Sequence, residues 1–496
     1  MDIPETDQAT DNLDRLDGPP RTLSVFKSPP EIATLLVFVV LAILGAFFSD
    51  GFVTADACTH YLFAKYAFSD PVNFVDVWAR PLCTLIDAIP AHFGNVLLVR
   101  LTHIAIAIGC AVVARAIART QSIPRPGLAL LFTLGAPLFF IFSFSEMTEL
   151  PFALVLGLAF LCYQKERWFT FAFLAGLLPT ARPEGFGFVA LAAIALLLHR
   201  RWLSLIPLIA PLLAWDLAGW LLTNRPVAWY AWLVHAWPWS EQGLYGRGNI
   251  FTFVAVLPVI VPPLILPATL VGIGRSLTLR KSGSNAHRHT RICRVLIAAI
   301  PLSILVGHSM LRFFGKFGSF GEARYLLICA PFWGVLSAWG FESISQRLHF
   351  RHPWRIATVA VILPALINLI SPAVPIHLAP DWQTARRFAD VYQSEHLEDH
   401  YPHVIAAHPA VPYFLHTDPN AGNRQDAFTA ARIKSLPPGT LLIWDPVYCT
   451  TNAIAEDAFT PDQLRAAGWI EDPQLTSKLK ENSTAKPWIV FKRGAR

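Results

Sequence analysis

Charge is what this sequence has least of. Only 15% of its 496 residues are charged, against 54% apolar, a balance too poor in polar surface for a soluble chain of this length. Residues 1–30 lack the charged-then-apolar pattern of a cleaved signal. They are polar, acidic and Pro-containing and read as a disordered cytoplasmic tail, which makes the first apolar run an uncleaved anchor. The seven Cys have no metal-ligand spacing, and their odd number excludes a complete disulfide framework. Cys58 and Cys83 share one loop, where they either pair in an oxidising compartment or remain two free thiols. No basic stripe with interleaved aromatics exists, which excludes nucleic acid as a partner. No internal repeat exists either, which argues against a transporter.

What the chain does have is long apolar runs. Stretches of about 17–22 such residues recur, each long enough to cross a hydrocarbon core. About eleven of them make the fold class an all-α polytopic membrane protein over residues 31–375. The spacing predicts continuous spans from about Ile32 to Ser49, Asn95 to Ala118, Gly127 to Phe142 and Phe251 to Ile273. Sixteen Trp suit an interfacial belt. Loops alternate between Lys/Arg-rich and Lys/Arg-poor, and the rich ones, such as Arg115 to Arg125 and Arg275 to Arg291, are expected inside. This alternation accounts for the net charge of +6 and puts the N-terminus in the cytoplasm. From residue 376 to 496 the composition turns soluble. A helix beginning near Asp381, strands in HVIAAH, GTLLIWD and WIVFKR, and a helix capped by Thr460 with Pro461 at its first position predict a small extracytoplasmic α/β domain.

The Lys/Arg-poor, outward side collects the ionisable groups nearest to span ends: Asp56, Glu146, Glu149, Arg182, Glu184 and Arg324. Such groups are costly at membrane depth and persist mainly where they work or line a wet cavity. Asp56 either caps the helix-like piece that follows the first span or, in a partly dry cleft, takes a proton from an incoming hydroxyl. His60, four residues on, shares a helical face with it. Glu146 and Glu149 in SFSEMTE are three apart and share a face if the turn is helical; the other expectation is a solvated turn. In ARPEG, Arg182 and Glu184 either staple the helix break around Pro183 or offer a guanidinium fork to phosphate. Arg324 and Tyr325, in GEARYLL, provide a second cation at a span start, or a snorkelling one. The loop EQGLYGRGN brings Tyr245, Arg247 and several Gly, either as a flexible loop or as close-approach backbone for a ligand.

In their order and common side these motifs resemble the GT-C class of polyprenyl-phosphate-sugar-dependent glycosyltransferases, in particular its mannosyltransferase-like branch. DACTH resembles that class's acidic motif behind span one. SFSEMTELPF resembles its turn ending in Glu, ARPEG its Arg-Pro-Glu-Gly break, YGRG its Gly loop, and Arg324-Tyr325 its late Arg-Tyr. The resemblance implies a GT-C-like membrane domain and a hexosyltransferase. It would carry a hexose, mannose or another, from a polyprenyl phosphate to a glycan, lipid or protein hydroxyl with inversion. Asp56 would be the catalytic base. Arg182 and Arg324 would steady the departing phosphate, Glu146, Glu149 and Glu184 would position the acceptor or the arginines, and His60 would support Asp56. Tyr245, Arg247 and Tyr325 complete the expected substrate-binding set. The first loop has no Asp-x-Asp pair, which argues against a bridging metal; no cofactor beyond the lipid-linked donor is expected. The expected location is a bacterial plasma membrane, with membrane lipids as surroundings. The alternative is a polytopic transporter or lipid-carrier flippase without transferase activity.

Overall fold

The structure, a computed structural model, describes residues 28–93, 95–223, 226–237, 246–278, 285–316, 320–370, 374–418, 433, 436–449, 460–480 and 487–493. The tail before Ser28 and Tyr245 lie outside the described residues. Helices dominate: α1 (Pro29–Phe48), α2 (Ala55–Tyr66), α3 (Pro81–His92) and α4 (Val96–Thr120) lead into α5 (Gly127–Leu134), α6 (Pro137–Phe142) and α7 (Glu149–Gln164). Then come α8 (Trp168–Ala181), α9 (Gly185–Leu198), α10 (Leu205–Thr223), α11 (Trp232–Ala236), α12 (Thr252–Ala255), α13 (Leu257–Ile260) and α14 (Leu266–Leu277). The bundle closes with α15 (Asn285–Phe314), α16 (Ala330–Arg347) and α17 (Pro353–Ile370).

By length and composition five stretches can cross a membrane: Pro29–Phe48, Val96–Thr120, Trp202–Thr223, His289–Phe314 and Ala323–Arg347. Shorter apolar helices, α7, α8 and α9 among them, accompany these. This is the architecture of a multi-pass membrane protein, in which helices satisfy most backbone polar groups along each span. Burial ranks the elements. The Ala323–Arg347 stretch is 89% buried and forms the axis, whereas Pro29–Phe48 is 28% buried and lies at the edge. There it exposes Leu36, Val40, Phe47 and Phe48, side chains that lipid would cover.

Two of the expected spans are not continuous. The run from Gly127 splits after Leu134, because Pro137 drives Ala136 into an extended conformation (ψ 128°). The run from Phe251 breaks into α12, α13, a 3₁₀ turn at Pro263–Ile265 and α14. Pro258, Pro263 and Pro267 each fall in the first turn of a piece, where a missing N–H costs nothing and the preceding helix must end.

The C-terminal segment is an α/β unit, as its composition predicts. It contains α18 (Pro380–Ser394), α19 (Ala410–Leu415) and strands β1 (His403–Ala406), β2 (Thr440–Trp444), β3 (Trp469–Glu471) and β4 (Ile489–Arg493). Strand order is β1-β2-β4-β3, with β1 parallel to β2 and the other pairs antiparallel. Thr460 caps the Pro461–Ala466 helix through a capping box with Gln463. β3, only three residues long, is too short to leave an alternating pattern. The unit is tied to the end of α1 and to α2. Gly51 N–H donates to Ile376 O (2.9 Å) and Ile376 N–H donates to Ser49 Oγ (2.8 Å). The Phe52 ring meets those of Trp382 and Tyr413 at 5.4 and 5.0 Å.

Candidate active site

The Thr54 side chain accepts from Ala57 N–H and starts α2, which sets Asp56 in the helix's first turn. The Asp56 side chain is 40% exposed, and its Oδ2 accepts from Arg324 Nη2 at 2.6 Å. Arg324 comes from a 3₁₀ turn, Ala323–Cys329, that leads into α16. It also contacts Glu322 and lies 3.8 Å from Glu149 Oε1. Glu149, fully buried at the start of α7, receives Arg182 Nη1 at 2.6 Å. Arg182 further donates to Thr148 Oγ1 (2.9 Å) and to Glu184 (2.9 Å). An unbroken chain, Asp56–Arg324–Glu149–Arg182–Glu184, thus joins four regions remote in sequence. The Tyr325 ring underlies it, with the Arg182 and Arg324 guanidiniums 5.5 and 5.7 Å from its centroid.

The ARPEG break places Arg182 by local sterics. Pro183 holds Arg182 in an extended conformation (φ −159°) just past α8. Gly185 then opens α9 so close to α8 that a Cβ there would sit 2.3 Å from the Leu178 carbonyl carbon. Only glycine allows this approach.

The remaining expected residues make other contacts. Glu146 and Glu149 do not share a face, because residues 146–147 are not helical. Glu146 instead receives Arg100 Nε (3.0 Å), and that guanidinium also donates to Ala46 O, Ser49 O and Gly51 O. This arrangement closes the open carbonyl end of α1. His60 is buried and stacked on Trp78 (4.8 Å, 18°) rather than bonded to Asp56. Burial lowers its pKa to about 3; Asp56 pulls the other way, while Arg80, Arg324 and Arg182 add to the fall. Arg247 is exposed, its Cγ near Gly315. Cys58 and Cys83 are both buried free thiols.

Three residues at this place were not among those singled out from sequence. His308 of α15 lies 3.4 Å from Glu184 and stacks flat on Tyr325 (4.8 Å, 6°); an imidazole inside an apolar run is its only sequence signal. Glu322 sits beside Arg324. Burial raises its pKa, Arg324 opposes, and Asp56 and Glu149 add to the rise. Arg80 precedes Pro81 in a second Ala-Arg-Pro tripeptide and takes a left-handed conformation (φ 64°), a strained state for a residue with a Cβ. It donates to Val77 O (2.6 Å) and faces the Trp237 ring, and has no carboxylate partner among the described residues. Burial, then repulsion from Arg182, lowers it to about 10.

About one helical turn from the Arg182–Glu184 break begins a mostly apolar cavity of about 660 Å³ between α7, α8, α9 and α15, which runs to Tyr163, His199 and His289 at its far end. Leu178, which accepts the Arg182 N–H, and Phe188 line its upper part, and Leu296 and Ile300 the side toward α15.

No family profile and no curated protein sequence matches the chain. Among solved structures, ArnT from Cupriavidus metallidurans in the apo state matches at a TM-score of 0.56 and 13% identity, covering 94% of this chain and 98% of that one. The same ArnT bound to undecaprenyl phosphate matches at 0.54 and 12%, covering 94% and 97%. The chain and ArnT share a fold. The likeness to ArnT runs from the membrane bundle into the C-terminal unit, since it covers 94% of the chain.

Four carboxylates (Asp56, Glu149, Glu184, Glu322) surround two paired guanidiniums. Such a site does not attract a free anion by charge alone. It can trade a carboxylate for a phosphate on the same guanidinium, since both suit the planar fork. Among the described residues no group of three or more His, Cys, Asp or Glu is disposed to hold a metal ion.

Proposed function

We propose that this chain is a membrane glycosyltransferase. It moves a hexose, such as mannose, from a polyprenyl phosphate to an acceptor hydroxyl, with inversion. The observation that carries this is the Asp56–Arg324–Glu149–Arg182 chain, with an apolar cavity that begins about one helical turn away at Leu178 and Phe188. It combines a half-exposed carboxylate for a proton, guanidiniums for a phosphate and apolar room for a prenyl tail. The ArnT structure bound to undecaprenyl phosphate supports the donor class, because a fold of this kind accommodates that lipid. The shared motifs of the GT-C class support the sugar transfer.

In this reaction the acceptor oxygen attacks the anomeric carbon while the bond from that carbon to the phosphate oxygen breaks. The hydroxyl proton passes to Asp56, and the bonding pair leaves with polyprenyl phosphate. A single displacement inverts the centre. In the free protein Arg324 occupies Asp56. A donor phosphate competes for that guanidinium, so its arrival releases Asp56 to act as base. Arg182 holds Arg324 in place through Glu149, and Arg80 adds positive charge toward the departing phosphate. The basic loops support an orientation with the N-terminus inside and the site and α/β unit outside, and we assign the chain to a bacterial plasma membrane.

The test uses the purified chain in lipid nanodiscs with labelled undecaprenyl-phosphate mannose and an envelope extract from cells that carry the gene. Asp56→Asn should cut label transfer by about a hundredfold or more, with the thermal midpoint unchanged. Near-normal turnover in that variant would remove Asp56 from the mechanism. Label that stays on the lipid with the unaltered chain would favour the flippase alternative.

A further inference from the structure

His308 of α15 touches the chain of charges, and the mechanism above gives it no task. It is 9% exposed, stacked on Tyr325 at 4.8 Å and met by the Phe253 ring of α12 at 5.6 Å. Its Nε2 lies 3.4 Å from Glu184 Oε1. Its Nδ1 is buried and has no hydrogen-bond partner among the described residues. The ionisable groups beside it are Glu184, from the α8–α9 break, and Tyr325, over whose ring Arg182 lies. α7, α14 and α16 also pack on α15 but bring no charged group into contact with His308 among the described residues. A buried nitrogen left unpaired is costly, and this one sits on a ring that already holds a member of the site.

Arg182 is almost fully engaged in the free protein. Its Nε and Nη2 donate to Glu184 at 3.2 and 2.9 Å, and its Nη1 donates to Thr148 and Glu149 at 2.9 and 2.6 Å. That leaves one of the five guanidinium N–H groups. A donor phosphate gains a two-pronged grip on this guanidinium only if Glu184 gives up the Nε–Nη2 edge. Glu184 then needs another cation, and His308 already touches it. Charge balance favours the same exchange. Asp56, Glu149, Glu184 and Glu322 outnumber Arg182 and Arg324 by two, and a sugar phosphodiester brings one more negative charge. A proton drawn from solvent offsets it, and imidazole is the side chain that ordinarily takes one near neutral pH.

We infer that His308 is a donor-binding residue that works by proton uptake. When the polyprenyl-phosphate sugar arrives, Arg182 turns from Glu184 to the phosphate. His308 becomes an imidazolium that holds Glu184 through Nε2–H and meets a phosphate oxygen through Nδ1–H. The proton comes from solvent, and no bond between heavy atoms changes in this step. The inference rests on the transferase function proposed above, and it makes donor binding tighter as pH falls.

The test measures binding of labelled undecaprenyl-phosphate mannose to the chain in nanodiscs, without extract, between pH 6.5 and pH 8. This donor is a phosphodiester, whose own charge does not titrate in that range. A full proton taken up per donor changes affinity about tenfold per pH unit. The unaltered chain should therefore bind roughly five- to tenfold more weakly at pH 8 than at pH 6.5. His308→Gln keeps an amide N–H toward Glu184 but cannot take a proton, so its affinity should vary less than about twofold over the same range. Glu184→Gln removes the charge that draws the proton and should flatten the dependence too, which covers the case in which His308→Gln does not fold. Calorimetry in two buffers of different ionisation heat should count a proton taken up by the unaltered chain that His308→Gln does not take up. Binding by the unaltered chain that is independent of pH would overturn the assignment while leaving the transferase function in place. A proton count that persists in His308→Gln would overturn it too, and would move the proton to Glu322 or Asp56. No donor binding at any pH, with no label transfer, would overturn the transferase function and this inference together.

Discussion

Asp56 and Arg324 face different surroundings across a 2.6 Å contact: the carboxylate is 40% exposed and the guanidinium 10%. One partner can be exchanged with solvent or substrate while the other stays anchored on Glu149. Residues such as Asp56, Glu149, Arg182 and Arg324 stand out in the sequence because ionisable groups beside apolar spans are rare and costly. The same signal marks Glu146, yet that carboxylate serves the carbonyl end of α1 through Arg100. Sequence position says that a charge must be satisfied and leaves open by whom. Arg80 left no mark beyond a repeated tripeptide, since what sets it apart is a left-handed backbone and, among the described residues, the lack of a carboxylate partner. His60 yields a pH prediction. Burial holds its folded-state value at about 3 against an ordinary 6.5. Between those values the unfolded chain binds a proton that the folded chain does not, so stability rises with pH across this window and levels off above it. At pH 5 the deficit is about 2 kcal/mol relative to pH 7.5. Thermal midpoints of the detergent-solubilised chain at the two pH values should differ less in His60→Gln than in the unaltered chain. Equal losses in both would refute the assignment.

The α8–α9 break shows how an element end becomes a device. Pro183 stops α8, Arg182 is left extended, and Gly185 lets α9 start against the backbone of α8. A side chain at position 185 has no room. Gly185→Ala should destabilise the fold by about 1–3 kcal/mol and weaken sugar transfer as well, because the displaced backbone carries Arg182. A thermal midpoint and a transfer rate both equal to those of the unaltered chain would refute the close packing. The helices themselves were legible from apolar run length, and the Thr460 cap from its residues. The breaks within the runs from Gly127 and Phe251 were less so: hydropathy averages over a window, whereas a proline acts on one peptide bond.

Across the whole molecule, the α/β unit docks on the end of the bundle where the ionic chain lies, through α1, α2 and the Phe52 aromatic contacts. If the loop charges orient the chain as proposed, this end faces out. In spheroplasts an impermeant maleimide should then label Glu398→Cys, on the exposed surface of the α/β unit, and spare Arg351→Cys, between α16 and α17. The opposite pattern would invert the orientation. The sequence by itself determined a multi-pass helical bundle, a soluble α/β end and a short roster of charges at span ends, because hydrophobic length and turn chemistry are local properties. Only the tertiary structure decided which of those charges meet, that Glu149 links two arginines while Glu146 does not, and that His308 stands beside them. Pairing across dozens to hundreds of residues is set by how helices pack, and packing depends on the whole set of side chains at once.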